Sequence, residues 1–277
     1  MNEPLRFTFE HLRRQRRTAL IPFIMGGDPS LALTGPLLLA LEDAGADLIE
    51  VGIPFSDPLA DGPVIQAASA RALARGATPA KVLAAVASVR QRLRVPVVCL
   101  SYWNLILQYG RQSVSRTGRG QLSPQPFIRA AHDSGISGVI VPDLPIEEGE
   151  LLRAVAAREQ FAAIALAAPT SPPARLRAIA RASDGFIYYV SVTGTTGVRR
   201  VLPASLVQGV RQLKSLTTKP VCVGFGISTP SQAAAVSRIA DGVIIGSALI
   251  QRMALARGRG ACLRAAAAFV KQLRRAV

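Results

Sequence analysis

The sequence predicts a single α/β domain, a (β/α)8 or TIM barrel, over residues 1–277. Short apolar runs rich in β-branched residues alternate with stretches of helical pattern along the whole chain. The runs are almost continuously apolar, which is typical of parallel strands covered by helices on both faces. Eight such units in a chain of this length match a barrel in number and order, and no change in composition marks a second domain.

Each strand is predicted where an apolar run is bounded by glycine, proline or a charged residue. In chain order the predicted strands are 19–24, 47–52, 95–101, 137–142, 161–168, 185–190, 219–225 and 241–246. The predicted helices are 30–44, 64–74, 78–92, 124–134, 146–158, 173–182, 203–215, 229–239 and, after a glycine-rich break, 261–275. A doubly wound open sheet is the alternative architecture, but no GxGxxG turn follows the first strand.

The composition is strongly basic, with a formal net charge of +16. The arginines are spread over predicted helices and loops, and no DNA- or RNA-binding motif accompanies them. We therefore expect no nucleic-acid partner and interpret the charge as a genomic preference for arginine. An anionic substrate would still be attracted by the resulting field.

The cysteines and histidines predict neither a disulfide framework nor a metal site. Cys99, Cys222 and Cys262 are far apart, and neither His11 nor His132 has a metal-ligating neighbour at a useful spacing. The apolar runs are too short for a membrane span, and the N-terminus has no signal-peptide pattern. We expect a cytoplasmic protein, or one of the plastid stroma if it is organellar.

One carboxylate stands inside a strand that is otherwise apolar, in the stretch "IEVGIPFSDPLADGPVIQ" at 49–66. Side chains alternate along a strand, so Glu50 faces the barrel interior if Ile49 and Val51 face the helices. The predicted strands contain one cation, Lys219, at the opposite end of its strand. Desolvation without a cationic partner should raise the pKa of Glu50, which suits proton transfer at the C-terminal end of a barrel. A structural ion pair is the competing interpretation.

Two glycine-rich loops predict a phosphate site. "GFGIS" (224–228) follows the seventh strand, and "IGSAL" (245–249) follows the eighth and opens a helix. Backbone N–H groups at such loops can bind an anion, and the loops after strands 7 and 8 form the usual phosphate site of this fold. Loop "SVTGTTGVRR" (191–200) has no large apolar side chain and predicts either a lid or a plain flexible loop.

Together these motifs resemble the tryptophan synthase alpha subunit family. "PFIMGGDP", the 49–66 stretch, "PDLPIEE", "SVTGTTGVR", "GFGIS" and "GSALI" occur in the family's order. The resemblance implies a lyase of tryptophan biosynthesis that cleaves indole-3-glycerol phosphate to indole and glyceraldehyde 3-phosphate by a retro-aldol reaction. It implies no cofactor in this subunit, and a pyridoxal-phosphate beta subunit as partner in an α2β2 heterotetramer.

The resemblance also assigns roles to residues. Glu50 matches the catalytic glutamate, and Asp61 matches the aspartate that contacts the indole N–H. Thr196 matches a lid threonine. The residues that match the phosphate site are Gly197, Gly226, Gly246 and Ser247. The residues that match the indole pocket are Phe23, Leu100, Tyr102, Ile140, Tyr188 and Phe225. Asp57, which precedes Pro58, is better interpreted as a turn or N-cap residue.

The segment 111–123 departs from the family pattern. It is basic and polar, resembles an insertion after the third strand, and puts docking of a beta subunit in question more than the chemistry. Two other functions therefore stay open: a stand-alone lyase that releases free indole, and a non-catalytic activator of a beta subunit. A phosphate-sugar epimerase on the same barrel would be expected to show metal-binding histidines.

Overall fold

The computed structural model describes residues 2–109, 122–190, 202–224 and 226–277. Eight parallel strands close into a barrel in the order β1 to β8. The strands are β1 Ala19–Met25, β2 Ile49–Gly52, β3 Val97–Leu100, β4 Ile136–Ile140, β5 Ala162–Ala167, β6 Ile187–Val190, β7 Val221–Gly224 and β8 Gly242–Ile245. The predicted fold is confirmed.

Helices cover the outside of the barrel, except for the first, which packs against its inward-facing side chains. They are α1 Glu3–Arg14, α2 Leu31–Asp43, α3 Pro63–Ala74, α4 Pro79–Ala87, α5 Trp103–Gln108, α6 Gln125–Asp133, α7 Glu150–Arg158, α8 Pro173–Ala182, α9 Ala204–Ser215, α10 Pro230–Ser237, α11 Ser247–Leu255 and α12 Arg259–Arg274. Helix α4 ends five residues before its predicted end at position 92, and helices α1 and α5 were not predicted.

Helix α1 packs against the inward-facing side chains of the barrel. Its apolar face, Leu5, Phe9 and Leu12, belongs to the same buried cluster as the inward residues of the strands. The rings of Phe9 and Phe186 lie 5.7 Å apart, centroid to centroid. The Asn2 side chain caps the helix by accepting from the Leu5 N–H. The sequence carries a signal for the start of this helix, which the sequence analysis could have used. An asparagine suited to the N-cap is followed by a proline in the first turn and by apolar residues at helical spacing, Leu5, Phe9 and Leu12.

Two buried clusters separate the inside of the barrel from the layer between strands and helices. Ile49 and Val51 of β2 belong to the outer cluster, and Leu48 belongs to the inner one. The alternation predicted for this strand is therefore confirmed, and Glu50 projects inward. In the sheet, Glu50 pairs with Phe23 of β1 on one side and with Val98 of β3 on the other.

Candidate active site

Glu50 is a buried carboxyl group without a hydrogen-bond partner. Its residue is 1% exposed, and neither carboxyl oxygen has a partner within the described part of the chain. Phe23 of β1 pairs with Glu50 in the sheet, and its ring lies over Gly52, the next inward-facing residue of β2. A Cβ on Gly52 would lie 2.7 Å from Phe23 Cζ. The glycine therefore leaves room for the ring, which helps to exclude water from the carboxyl group.

Burial raises the pKa of Glu50 from its usual value of 4.5 to about 8, and the negative charge of Asp61 contributes to the same shift. A carboxyl group in this state is protonated at neutral pH and can donate a proton. The competing interpretation, a structural ion pair, does not fit a side chain with no partner.

Asp61 lies on the loop between β2 and α3, two residues before the helix begins. Burial raises its pKa from 3.8 to about 6, opposed by a hydrogen bond from the Tyr102 hydroxyl. The same hydroxyl accepts from the Ala60 N–H at 3.2 Å, and Gln66 Nε2 donates to the Asp61 carbonyl at 2.9 Å. Asp61 is therefore held near the barrel mouth and is mostly ionised at neutral pH.

Helix α3 makes two polar contacts that the sequence analysis missed, one with this loop and one with the loop after β1. Ser69 Oγ accepts from the Phe55 N–H and donates to the Phe55 carbonyl, each at 2.8 Å. Arg71 donates two hydrogen bonds, at 2.9 and 2.7 Å, to the buried carboxylate of Asp28 on the loop after β1. Asp28 and Arg71 are 43 positions apart, and no local spacing pattern announces their pairing.

A cavity of about 500 Å³ opens beside Asp61 at the C-terminal ends of β3 to β6. Of the predicted indole-pocket residues, Leu100 and Tyr188 line it. Burial, together with the charges of Glu50 and Asp61, raises the pKa of Tyr188 well above its usual range. Phe23, Tyr102 and Ile140 belong to the inner cluster but do not line this cavity.

The two predicted phosphate loops differ. At the start of α10, the Gln232 side chain accepts hydrogen bonds from the Ser228 and Thr229 N–H groups. The capping box of α10 therefore already occupies backbone N–H groups that an anion would need. Helix α11 begins at Ser247 with Gly246 as N-cap and no side-chain cap. A Cβ on Gly246 would lie 3.4 Å from Phe23 Cδ1, which places this helix start beside the residue that covers Glu50. The helix dipole and its first N–H groups make the start of α11 the better anion site.

Several predicted features lie outside the described residues. These are Thr196, Gly197, Phe225, the lid segment 191–200 and residues 111–121 of the proposed insertion. Gly226 is described, with φ of +26°, and a Cβ added there would meet no atom within 4 Å. Asp57 lies in the turn before Pro58, where its carbonyl accepts from the Leu59 N–H at 2.9 Å.

Two further properties concern the described residues alone. No helix among them is long and apolar enough to cross a membrane. No three histidine, cysteine, aspartate or glutamate side chains within them lie close enough together to hold a metal ion.

Known proteins are similar to this chain in both sequence and fold. A family model described as "Tryptophan synthase alpha chain" matches residues 9–277. The tryptophan synthase alpha chain of Gloeobacter violaceus is 48% identical over 269 residues, covering 97% of this chain and 92% of the relative. That of Carboxydothermus hydrogenoformans is 49% identical over 243 residues, covering 88% of this chain and 86% of the relative.

Solved structures agree with the sequence relatives. The tryptophan synthase alpha subunit of Legionella pneumophila superposes with a TM-score of 0.87 at 36% identity, covering 100% of this chain and 98% of that one. A chain of Mycobacterium tuberculosis tryptophan synthase superposes with a TM-score of 0.86 at 34% identity, covering 99% and 97%.

Proposed function

We propose that Glu50 and Asp61 carry out the reaction of the tryptophan synthase alpha chain family, to which this chain belongs. The chain is a carbon–carbon lyase of tryptophan biosynthesis, and it cleaves indole-3-glycerol phosphate to indole and glyceraldehyde 3-phosphate. The single observation that supports the residue assignment is the Glu50 carboxyl group, which is buried, faces inward and has no hydrogen-bond partner in the described part of the chain.

Glu50 has the protonation state that the first step needs. The protonated carboxyl group donates its proton to C3 of the indole ring, which becomes an electrophilic iminium. The Glu50 carboxylate then takes the proton of the hydroxyl group on the carbon attached to C3. That carbon forms the aldehyde C=O, the C–C bond breaks, and its electron pair returns to the ring. Glu50 ends protonated, so atoms and charge balance over the cycle.

Asp61 supplies the negative charge that the cationic ring requires. It is mostly ionised at neutral pH, and its loop is held by Tyr102 and Gln66. A fixed carboxylate at the indole N–H stabilises positive charge on the ring more in the transition state than in the ground state. The negative charge of Asp61 also raises the pKa of Glu50, so the protonation state of Glu50 depends on whether Asp61 is ionised.

The start of α11, Gly246 and Ser247, is the proposed phosphate site, and Gly226 is included because its loop follows β7, the strand that pairs with β8. Support comes from the uncapped helix start and from its position next to Phe23. Gly197 and the lid threonine Thr196 remain proposals on the family resemblance. The net charge of +16 would attract the dianionic substrate.

We propose no metal or organic cofactor in this subunit, because the C–C bond cleavage above needs only two proton transfers and the stabilisation of a cationic ring, which side chains can supply. The family implies a beta-subunit partner. We propose an α2β2 heterotetramer in which the beta subunit carries pyridoxal phosphate and consumes indole. A cytoplasmic location is proposed on the bacterial relatives.

The experiment that tests this function is indole release from indole-3-glycerol phosphate, with and without a beta subunit. We expect slow release by the chain alone and a strong rise on adding the beta subunit. Fast release without a partner would instead favour the stand-alone lyase. Activation of the beta subunit by a chain that releases no indole would favour the non-catalytic activator.

A further inference from the structure

The cavity beside Asp61 contacts side chains on both faces of β5. Ile164 and Leu166 belong to the inside of the barrel, whereas Ala163 and Ala167 belong to the layer between strands and helices. All four line the same cavity. It therefore has two parts: the barrel mouth, and a space between β5 and helices α7 and α8, which we call the outer compartment.

The outer compartment exists because the outward side chains of β5 are all alanine: Ala163, Ala165 and Ala167. The other strands place larger residues outward. These include Leu20, Ile24, Ile49, Val51, Val97, Cys99, Val139, Ile187, Tyr189, Val221, Val223, Val243 and Ile245. Each of those is at most 1% exposed, whereas Ala163 is 8% exposed in mid-strand and Ala165 is only partly buried. Space that a small molecule can enter thus lies behind β5.

The lining of the outer compartment indicates a neutral ligand. Leu152 of α7 and Ile179 of α8 line it together with the alanines of β5, the strand on which both helices pack. Of the two cations among the described residues of the cavity wall, Arg175 pairs with Glu147 at 2.9 Å, and Arg153 donates to the Ile146 carbonyl at 2.9 Å. The carboxylates of Asp61 and Asp143 in the same cavity wall disfavour an anion, whereas an uncharged apolar ring would lose little by leaving water.

We infer that the outer compartment binds indole that forms in the barrel mouth. This inference rests on the proposed function, since that reaction produces indole in the other part of the same cavity, beside Asp61 and Tyr188. Indole is neutral, flat and apolar apart from one N–H. A dry apolar cavity of about 150 Å³ already accepts benzene, so part of a cavity of about 500 Å³ can hold a bicyclic ring. The outer compartment would retain the product close to where it is made.

The test is to soak crystals of the full chain in 5-bromoindole and locate the bromine by anomalous scattering. We expect two sites, one in the barrel mouth and one between β5 and helices α7 and α8. Ala165→Leu fills the space behind β5 and should remove the outer site while keeping the inner one. Ala154→Leu, on the exposed face of α7, is the matched control and should keep both.

Equilibrium dialysis gives the corresponding result in solution. We expect about two indole molecules per wild-type chain and about one per Ala165→Leu chain. Should Ala165→Leu fail to fold, Ala163→Val makes a smaller change on the same face. Bromine in the barrel mouth alone, or an outer site unaffected by either substitution, would overturn the inference. Indole release by the wild type is assayed in parallel, because its absence would disprove the proposed function instead.

Discussion

At the scale of single residues, the site depends on two carboxyl groups that need opposite protonation states. Glu50 acts as an acid with a pKa of about 8, and Asp61 acts as an anion with a pKa of about 6. The difference arises because Glu50 is fully buried with no partner within the residues that the structure describes, whereas Asp61 is only partly buried and receives a hydrogen bond from Tyr102. Between the two pKa values both groups are in the state that the reaction requires.

We therefore expect a bell-shaped pH profile of kcat/KM for indole release. Activity should rise as Asp61 ionises near pH 6 and fall as Glu50 loses its proton near pH 8. The two apparent values belong to the coupled pair. Asp61→Asn should remove the acidic limb and lower the maximum. A profile that stays flat from pH 5 to 9 would contradict both assignments.

Glu50→Gln should lower kcat by roughly 10²- to 10⁴-fold while the substrate still binds. The same substitution should change stability in a pH-dependent way. Because the folded pKa of Glu50 is raised, wild-type stability falls as pH rises from 4.5 through about 8. Glutamine removes this loss, so the variant should gain a few kcal/mol over the wild type at pH 9 and almost nothing at pH 4.

Thermal unfolding of both proteins at the two pH values measures this difference. A variant that is less stable than the wild type at pH 9 would show that Glu50 is held by a compensating partner. Near-normal turnover would show that another group transfers the proton.

At the scale of elements, a strand, a loop and a helix start each contribute one part of the site: β2 carries Glu50, the loop after β2 carries Asp61, and α11 begins at the proposed phosphate site. The start of α11 is available for an anion, whereas the start of α10 is occupied by its own capping box. Helix α3 matters for a different reason. It holds the Asp61 loop through Ser69 and is itself held by the ion pair between Arg71 and Asp28.

Gly246→Asp should weaken substrate binding by about 10-fold or more, because a carboxylate at the start of α11 repels the phosphate. A Cβ at this position makes only ordinary contact, at 3.4 Å from Phe23, so folding should be preserved. Substrate titration of the inactive Glu50→Gln background measures Kd. Gly260→Asp, at the exposed start of α12, is the control and should bind normally. An unchanged Kd in Gly246→Asp would place the phosphate elsewhere.

Arg71→Met should destabilise the protein by roughly 1–3 kcal/mol, since it leaves the carboxylate of Asp28, which is 3% exposed, without its partner. It should also reduce kcat by loosening the loop of Asp61. Arg71→Lys keeps the charge but not the two-pronged contact and should recover part of both losses. Urea unfolding and steady-state kinetics give the two readouts.

Arg129→Met is the matched control for this substitution. It breaks the ion pair of Arg129 with Glu159, in which the arginine is 61% exposed, and should change stability by less than about 1 kcal/mol. Equal losses in Arg71→Met and Arg129→Met would mean that the buried pair has no special role.

At the scale of the whole molecule, one end of the barrel serves the reaction and the other end serves stability. The C-terminal end carries the site, and the opposite end carries polar contacts that tie the last helix to the first strands. Asp47 pairs with Arg17 and with Arg274 of α12, and it also accepts from the Leu20 N–H at 2.8 Å. The contact between Asp47 and Arg274 joins residues 227 positions apart and fixes the last helix to the chain before β2.

Arg274→Met should therefore lower the free energy of unfolding by roughly 1–3 kcal/mol. It should leave kcat and KM for indole release unchanged, because Arg274 lies at the end of the barrel opposite the site. Asp47 keeps Arg17, which limits the loss. Chemical denaturation and steady-state kinetics on the same preparation check both statements. A changed KM would mean that the two ends are coupled.

Much of the architecture could be predicted from local pattern. Apolar runs and helical periodicity placed all eight strands, and alternation within β2 placed Glu50 inside the barrel. The motifs also indicated Asp61 and the start of α11. Helix α4 was predicted too long, because its apolar pattern runs on to position 92 after the helix itself ends at Ala87.

The sequence by itself determined the barrel, the inward direction of Glu50 and the family. Strand alternation is a property of neighbouring residues, and the order of the motifs can be read directly along the chain. Only the tertiary structure decided that Glu50 has no partner among the described residues, that Arg71 holds Asp28, and that three alanines on β5 leave space in front of α7 and α8. Burial, pairing and free volume depend on residues that are distant in the chain, and their meeting is set by how the elements pack.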